Sequence, residues 1–572
     1  MTVLEGATLA LLLAIAGTIV TGYRFGDSNH GITIPILKRL MDRTLYPGDV
    51  MVATAEKFPT VFYRALAFVL PGTDAIPAAF FVLYLIAIAA TLAGAYRIGR
   101  WAGGPWAGLL CLLFAIPVRI GLAGEALYRV AFSHSHLASA LTIWAIVWFL
   151  EGRRALPLLV LALGAYNHLL YSVYVLVPMA LVVLWEGRES RDWRRAGMLL
   201  ALAAVPLLPL AIWTLSRGVP MTPEWLGLLR LRSAHHSFPS FFGNDLPDAA
   251  ALLALAVLAA SRAPGDRKRL LALFLAGTAL QFVLGTVFTE YWPVKAVLQY
   301  QPHRAWRFLL LLLRAMAAAG IVEGYRAGGL SRVAAGATGV IPVLPGLEAL
   351  LPLAVIAQAA VGRPVAAPWA RLLAVAIVGS LTGWDDRPVV DTLTNENIRL
   401  LLHPLVLAAA ALAMMIGVAR DSTPRARQAL TATAAALSLV VLLPYAYRVA
   451  RVRWESGSWR AAQNWVRENT PRGAVVLTPP KEAGFRVFSE RTIVGEWKDG
   501  TQQYFDDAFV REWGARMEVL GDDYARLPDG QLLSLARRFG AGYIVVPRRH
   551  RPRARPPLYE NAGFEIYSAT GQ

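Results

Sequence analysis

The chain has 572 residues, of which 56% are hydrophobic and only 16% are charged. A soluble protein would carry about 25% charged residues, so this composition excludes an ordinary soluble protein. The net charge of +18 does not indicate nucleic-acid binding, because the arginines cluster in short loops between apolar segments, as in the cytoplasmic loops of membrane proteins. We therefore expect no nucleic-acid partner.

Long apolar runs recur along most of the chain, and a run of about 20 residues can cross a hydrocarbon core of ~30 Å as a helix. These runs predict a polytopic α-helical membrane protein with about 11 to 14 transmembrane helices. The predicted spans are residues 4–22, 74–98, 103–122, 134–150, 168–185, 196–216, 248–261, 268–288, 306–325, 333–360, 369–383, 400–419 and 428–449.

Two regions leave the number of spans open. Residues 155–166 could form an extra short helix, so that 155–185 enters the membrane and returns. The Pro-containing run 333–360 could be one long tilted span or two short segments. A single span there would break the alternation of inner and outer loops, which favours an additional crossing between 333 and 383.

Loop charge predicts how the spans are oriented, because loops rich in Lys and Arg stay in the cytoplasm. The loops that we expect in the cytoplasm on this basis are 151–155, 185–197, 261–269 and 419–427. The loops that this threading places outside are 23–73, 117–133, 217–247 and 289–305.

From about residue 451 the composition becomes that of a soluble domain. "SWRAAQNWVRENTPRGAVVLTPP" predicts a helix, a turn and a strand at 474–478, and residues 485–499 contain two candidate strands. "LLSLARRFGAGYIVVP" predicts a helix, a Gly turn and a strand. We therefore predict a transmembrane domain over 1–450 and a small α/β domain over 451–572, on the same outer face as residues 23–73.

The outer loop 23–73 carries acidic residues close to the membrane. Ionisable groups at membrane depth are costly and usually face a cavity or mark a function, so Asp27 and Asp49 are candidate catalytic carboxylates. Arg24 and His30 are candidate substrate-binding neighbours. In the alternative interpretation, Asp27 only pairs with Arg24 or caps the following helix, which we expect to lie along the membrane interface.

Two histidines at the ends of predicted spans are further candidate substrate-binding residues. His134 lies in "SHSH" at the start of a span, and His168 follows Asn167 between two apolar segments, at a turn or re-entrant tip. Polar capping of a span explains His134, and turn chemistry explains His168, without any function.

The segment "EYWPVKAVLQYQPHRAWRFLLLL" places Lys295, His303, Arg304 and Arg307 directly before a span. Arginine matches the geometry of phosphate oxygens with paired N–H groups, so we expect this segment to bind phosphate. The alternative is an aromatic and cationic belt at the membrane interface.

Several function classes lack their motifs in this sequence. There is no phosphate-binding G-x-x-x-x-G-K-[ST] loop, no G-x-S-x-G nucleophile elbow and no H-E-x-x-H. Charged residues are almost absent from the middle of the predicted spans, which argues against an ion pump or a proton-coupled carrier.

The layout resembles the GT-C class of integral membrane glycosyltransferases, which transfer a sugar from a polyprenyl-phosphate carrier. The resemblance rests on a first span, an outer loop with an early acidic residue, many spans and an outer α/β domain. "GDSNHGITIPILKRLMDRTLYPGD" and the tail from "WRAAQNWVRENTPRGAVVLTPP" to "FGAGYIVVP" also look like segments of a poorly characterised bacterial branch related to that class.

The resemblance implies an inverting transferase in a bacterial inner membrane, with a lipid, a glycan or a protein as acceptor. Asp27 would act as general base, or would bind the acceptor or a divalent metal, Mg or Mn. Arg304 and Arg307 would hold the carrier phosphate. Two other functions remain open: a non-catalytic flippase or export component for lipid-linked glycans, and a glycan polymerase or ligase.

Overall fold

The computed structural model describes residues 8–340 except 9, 16, 19–21, 28, 58–59, 117–120, 217–220 and 261–262, together with residues 446–447, 451, 457–548 and 556–570. The spans predicted at 369–383 and 400–419, and most of those at 333–360 and 428–449, lie outside the described residues. The described positions between 8 and 18 are helical, within the predicted first span.

The first part of the chain is a bundle of apolar helices. Five of them are long and apolar enough to cross a membrane, within Thr73–Gly103, Ala155–Ser190, Trp193–Thr214, Gly265–Tyr291 and Lys295–Ala327. The helices in chain order are α1 (His30–Met41), α2 (Phe62–Val69), α3 (Ile76–Gly103), α4 (Pro105–Ala115), α5 (His134–Leu150), α6 (Ala155–Ser190), α7 (Trp193–Ser216), α8 (Pro223–Ser237), α9 (Leu246–Ala260), α10 (Gly265–Thr286), α11 (Lys295–Tyr300), α12 (Trp306–Ala327) and α13 (Gly329–Val340).

Helix α6 is a hairpin. The backbone at His168 is not helical, with φ −154° and ψ 95°. In a straight helix Arg154 and Glu186 would lie about 48 Å apart at 1.5 Å per residue. Their side chains instead form an ion pair, Nη2 to Oε1, at 2.6 Å, so the chain reverses at His168. This confirms the interpretation in which 155–185 enters the bundle and returns.

The loop between the first span and α3 carries two helices with different surroundings. Helix α1 is buried over His30–Lys38 and lies beneath the C-terminal domain, so protein covers the helix that the sequence predicts to lie along the membrane interface. Helix α2 does expose large apolar side chains, since Phe68 is 92% exposed and Val69 73% exposed. That exposure is typical of a helix in contact with lipid.

The C-terminal domain, the tail, contains a five-stranded sheet with the order β2-β1-β3-β5-β4. Strand β1 pairs in parallel with β2 and β3, whereas β5 pairs antiparallel with β3 and β4. The strands are β1 (Val475–Leu477), β2 (Thr492–Ile493), β3 (Tyr543–Pro547), β4 (Tyr559–Glu560) and β5 (Phe564–Ser568), and the helices are α14 (Ser458–Asn469), α15 (Phe485–Ser489), α16 (Asp507–Leu520) and α17 (Asp529–Phe539).

The α/β fold predicted for the tail is confirmed, but one of its segments is different. The strand at 474–478 and the helix, turn and strand that end at β3 are present. Residues 485–499 do not form two strands; they form helix α15, the short strand β2 and the start of a 3₁₀ helix, Trp497–Tyr504. Glu496 and Asp499 cap that 3₁₀ helix reciprocally.

A buried ion-pair network joins the tail to the loop after the first span. Arg486 of α15 donates from Nε to Asp49 Oδ2 at 2.7 Å and from both Nη atoms to the two oxygens of Asp499 at 2.9 Å. All three side chains are buried. Lys38 of α1 adds a second contact, from Nζ to Glu490 Oε1 at 2.6 Å. These contacts fix the position of the tail on the bundle.

Replacing Arg486 by Gln is expected to loosen the tail from the bundle, because Asp49 and Asp499 would remain buried without their counter-charge. Breaking such a pair typically costs about 3–5 kcal/mol. Limited proteolysis should cleave between bundle and tail faster in R486Q than in the wild type. R526Q is the matched control, since the Arg526 side chain is 79% exposed. Equal cleavage rates for R486Q and wild type would contradict the role of this network.

Candidate functional site

A cavity of about 780 Å³ lies between one end of the helix bundle and the tail. Its lining comes from the loop after the first span, the segment before α5, the tip of the α6 hairpin, helix α8, the segment around α11 and the tail. These are the loops that the threading places on one face, and they do meet at one end of the bundle. Among the described lining residues there is no Asp or Glu, whereas seven are Lys or Arg.

One buried carboxylate holds two of these arginines. Glu125 accepts from Arg304 Nε through Oε1 at 2.5 Å and from Arg307 Nε through Oε2 at 2.6 Å. Burial alone would raise the pKa of Glu125, but the charges of Arg304 and Arg307 lower it to about 2. Arg307 also stacks on Tyr171, with its guanidinium carbon 4.5 Å from the ring centroid. The two guanidinium groups are thus oriented before any ligand binds.

The tip of the α6 hairpin brings the two predicted histidines together. The rings of His134 and His168 stack with centroids 5.4 Å apart, and His168 also stacks on Tyr171 at 3.9 Å. Asn167 Nδ2 donates to the backbone oxygen of His134. Within the described part of the chain, His168 Nδ1 and Asn167 Oδ1 are buried without a hydrogen-bond partner. Both residues line the cavity.

The tail contributes a second group of polar side chains to the cavity. Lys498 and Tyr504 belong to the 3₁₀ helix Trp497–Tyr504 and line the cavity opposite the bundle. Arg232 of α8 donates from Nε to the backbone oxygen of Trp497 at 2.9 Å, and so lies directly beside Lys498. Gln299 Nε2 donates to the backbone oxygen of Tyr504 at 3.0 Å.

The structure unites five of the ten predicted site residues and places the other five elsewhere. His134, His168, Lys295, Arg304 and Arg307 all line the cavity. The predicted site residues that do not line it are Asp27, Arg24, His30, Asp49 and His303.

Four of these five make their contacts with residues that do not line the cavity. His30 is buried, accepts from the Gly26 N–H through Nδ1 and contacts the oxygen of Phe132 through Nε2 at 2.5 Å. His303 contacts Thr286 Oγ1 through Nε2 at 3.1 Å. Asp27 and Arg24 form an ion pair at 3.3 Å with both side chains largely exposed.

Asp49 also lies away from the cavity, in the buried network with Arg486. Its Oδ1 accepts from the N–H groups of Met51 and Val52, and its Oδ2 from Arg486 and the Ile493 N–H. With both oxygens engaged and the residue only 2% exposed, Asp49 stabilises the junction between loop and tail. The structure therefore places Asp49, a catalytic candidate from the sequence, in this junction and outside the cavity lining.

The cavity residues do not fit Mg²⁺ or Mn²⁺. Mg²⁺ and Mn²⁺ prefer carboxylate and other oxygen ligands, and the lining is cationic and imidazole-rich. Across the described ranges, no group of three or more His, Cys, Asp or Glu side chains is arranged to hold a metal ion. We therefore derive no chemical step through a metal.

The sequence does not identify two lining residues, Arg232 and Lys498, as functional groups, nor Glu125, which pairs with the lining residues Arg304 and Arg307. Arg232 and Lys498 lie far apart in the sequence, so no local pattern signals that they are neighbours. Glu125 is visible as a polar residue near Arg129 and His134, but its pairing with two arginines after residue 300 depends on the tertiary fold. A buried glutamate between apolar runs is the one local signal that could have identified it.

Comparisons with known proteins give distant matches. A family model described as a domain of unknown function, DUF6798, matches residues 457–520, which include Lys498. The curated proteins give no match. Among solved structures, the Archaeoglobus fulgidus oligosaccharyltransferase AglB, in complex with an inhibitory peptide and a dolichol-phosphate, is 14% identical with a TM-score of 0.33, covering 95% of this chain and 69% of that chain.

A second structure of the oligosaccharyltransferase from Archaeoglobus fulgidus, in complex with Zn and sulfate, is 15% identical with a TM-score of 0.32. The alignment covers 94% of this chain and 68% of that chain. TM-scores and identities in this range establish neither a shared family nor a shared activity.

Replacing Glu125 by Gln should lower the Tm of the purified protein, because two buried arginines would lose their shared counter-charge, at a cost of about 3–5 kcal/mol. Inorganic phosphate should then raise the Tm of E125Q more than that of the wild type, since the anion can take the place of the carboxylate. E151Q, which removes a partly exposed pair with Arg97, is the control. A phosphate response equal in E125Q and wild type would show that the arginines do not face the cavity as anion ligands.

Proposed function

We propose that the chain is a membrane glycosyltransferase that takes a sugar from a polyprenyl-phosphate carrier, with Arg304 and Arg307 binding the carrier phosphate. The observation that carries the proposal is the cationic cavity at the end of an apolar bundle, without a lining carboxylate among the described residues. Such a cavity selects an anion, and its position next to lipid-facing helices selects an anion that carries a lipid chain.

The proposed reaction is a direct displacement at the anomeric carbon. The oxygen of the acceptor hydroxyl forms the new bond to that carbon while the bond from the carbon to the phosphate oxygen breaks. The electron pair stays on the phosphate, and the charges of Arg304 and Arg307 stabilise it. Attack from the side opposite the leaving group inverts the anomeric centre.

Asp27 is the proposed general base that accepts the proton of the acceptor hydroxyl. It precedes Asn29, a lining residue, by two positions along the loop that borders the cavity. The Asp27 side chain is about half exposed, so it is accessible to an acceptor that approaches from solvent. Orientation of the tail towards the outside of a bacterial inner membrane is part of the same proposal.

A second candidate function is a non-catalytic handler of lipid-linked glycans, such as a flippase or export component. The observation that favours it is the lack of any Asp or Glu among the described lining residues. In that function Asp27 contributes only to local structure, while Arg304 and Arg307 still bind the lipid phosphate.

The two functions are separated by replacing Asp27 by Asn in the purified full-length protein, reconstituted in liposomes with polyprenyl-phosphate-linked radiolabelled hexoses and lipid extract as acceptor. Transfer of label should fall about 100-fold or more in D27N, because a general base contributes roughly 10²–10⁴-fold. D74N, at an exposed acidic position close to the same loop, should match the wild type. Undiminished transfer of label in D27N would contradict the proposed mechanism. Binding of the lipid by the wild type without any transfer would support the non-catalytic function.

A further inference from the structure

The cations of the cavity exceed the negative charges that face them. Of the seven lining cations, Lys57 pairs with Asp506 at 2.7 Å, and Arg304 and Arg307 share the single carboxylate of Glu125. The other four are Arg129, Arg232, Lys295 and Lys498.

None of these four forms an ion pair with a carboxylate of the described residues. Arg129 Nη2 donates to the backbone oxygen of Gly124 at 2.5 Å, and Arg232 donates to the backbone oxygen of Trp497. Lys295 lies 5.9 Å from the centroid of the Trp225 ring. Neutral partners of this kind leave these four cations without a carboxylate of the described ranges at ion-pair distance.

Three of these cations form a group close to Arg304. Burial, together with the charges of Arg232 and Arg129, lowers the pKa of the Lys498 ammonium group to about 8. Burial likewise lowers the pKa of Arg129, in part offset by Glu125. Positive charges are costly when they lie side by side in a partly buried site, and a bound anion removes that cost.

We propose that Lys498 of the tail and Arg232 of α8 bind the second phosphate of a lipid diphosphate whose first phosphate lies on Arg304 and Arg307. This inference rests on the proposed function and specifies its substrate class. A sugar joined to a lipid through one phosphate carries a single negative charge, whereas one joined through a diphosphate carries two. The structure has two groups of cations, one on the bundle and one that includes the tail. Two groups match the two charges of a lipid diphosphate and exceed what a lipid monophosphate requires.

The tail then has a direct part in binding the ligand. Lys498 lies in the segment 457–520 that matches the domain of unknown function, and its 3₁₀ helix is held by the reciprocal cap of Glu496 and Asp499. Asp499 in turn pairs with Arg486. The ion-pair network that docks the tail therefore also sets the position of Lys498 over the cavity.

The test replaces Lys498 by Gln in the full-length protein in nanodiscs and measures Kd for three probes: a polyprenyl monophosphate, a polyprenyl diphosphate and inorganic diphosphate. The wild type should bind the polyprenyl diphosphate at least about tenfold more tightly than the monophosphate, since it gains charge-assisted hydrogen bonds. K498Q should remove most of that difference and leave the monophosphate Kd within about twofold. K481Q, an exposed lysine of the same tail paired with Asp522, should change neither value.

Equal affinities of the wild type for the two lipids, or an equal loss for both in K498Q, would overturn the assignment of a second phosphate site. If inorganic diphosphate binds as tightly as polyprenyl diphosphate, the assignment of a lipid diphosphate as the ligand would be wrong. R304Q separates this proposal from the proposed function. It should weaken both lipids, and if it leaves both unchanged, the carrier-phosphate site itself is wrong.

The pH dependence gives a second readout. The Lys498 ammonium is present below its pKa of about 8 and is lost above it. The preference for diphosphate should therefore decline as the pH rises above about 8. K498Q should show no such decline. A preference in K498Q that declines with pH as in the wild type would assign the titration to another group and contradict the role of Lys498.

Discussion

Two arginines that share one buried carboxylate determine the character of the site. Glu125 compensates one of the two charges of Arg304 and Arg307 and fixes the direction of both guanidinium groups. Because desolvated charges are costly without a partner, the remaining positive charge at the end of an apolar bundle requires an anion. The neighbouring Arg129, Arg232 and Lys498 increase that requirement. The proposal of a phosphate-bearing ligand rests on this arrangement.

The second constraint is the docking of the tail. Arg486 joins Asp49 of the loop to Asp499 of the tail inside a buried interface, and the docked tail forms the wall of the cavity opposite the bundle. The same loop provides α1, which is buried under the tail, and α2, which exposes apolar side chains as a membrane-contacting helix does. Helix bundle, loop and tail therefore meet around the cavity.

Features that depend on a short stretch of sequence are predictable from the sequence. The start of α5 at His134, the break at His168 and the strand that ends in Pro547 are each encoded within a short window, by apolar periodicity and turn residues. Arg304 and Arg307 are identifiable as candidate phosphate ligands because they lie just before a predicted span. The segment 485–499 was misassigned because its apolar and β-branched residues favour strands locally, while the ion pairs of Arg486 and the cap at Glu496 depend on tertiary contacts.

The sequence does not predict the position of residues whose contact partners are distant in the chain. Asp49 resembles a catalytic carboxylate until Arg486 is brought to it, and His30 resembles a ligand until its ring is buried against Phe132. Lys498 becomes a site residue only when the tail docks.

The central claim is that the cavity binds a lipid phosphate, and an experimental structure of the full chain with a polyprenyl phosphate tests it most directly. The account predicts the phosphate within hydrogen-bond distance of Arg304 and Arg307; a phosphate bound elsewhere, with this cavity filled only by water, would contradict it.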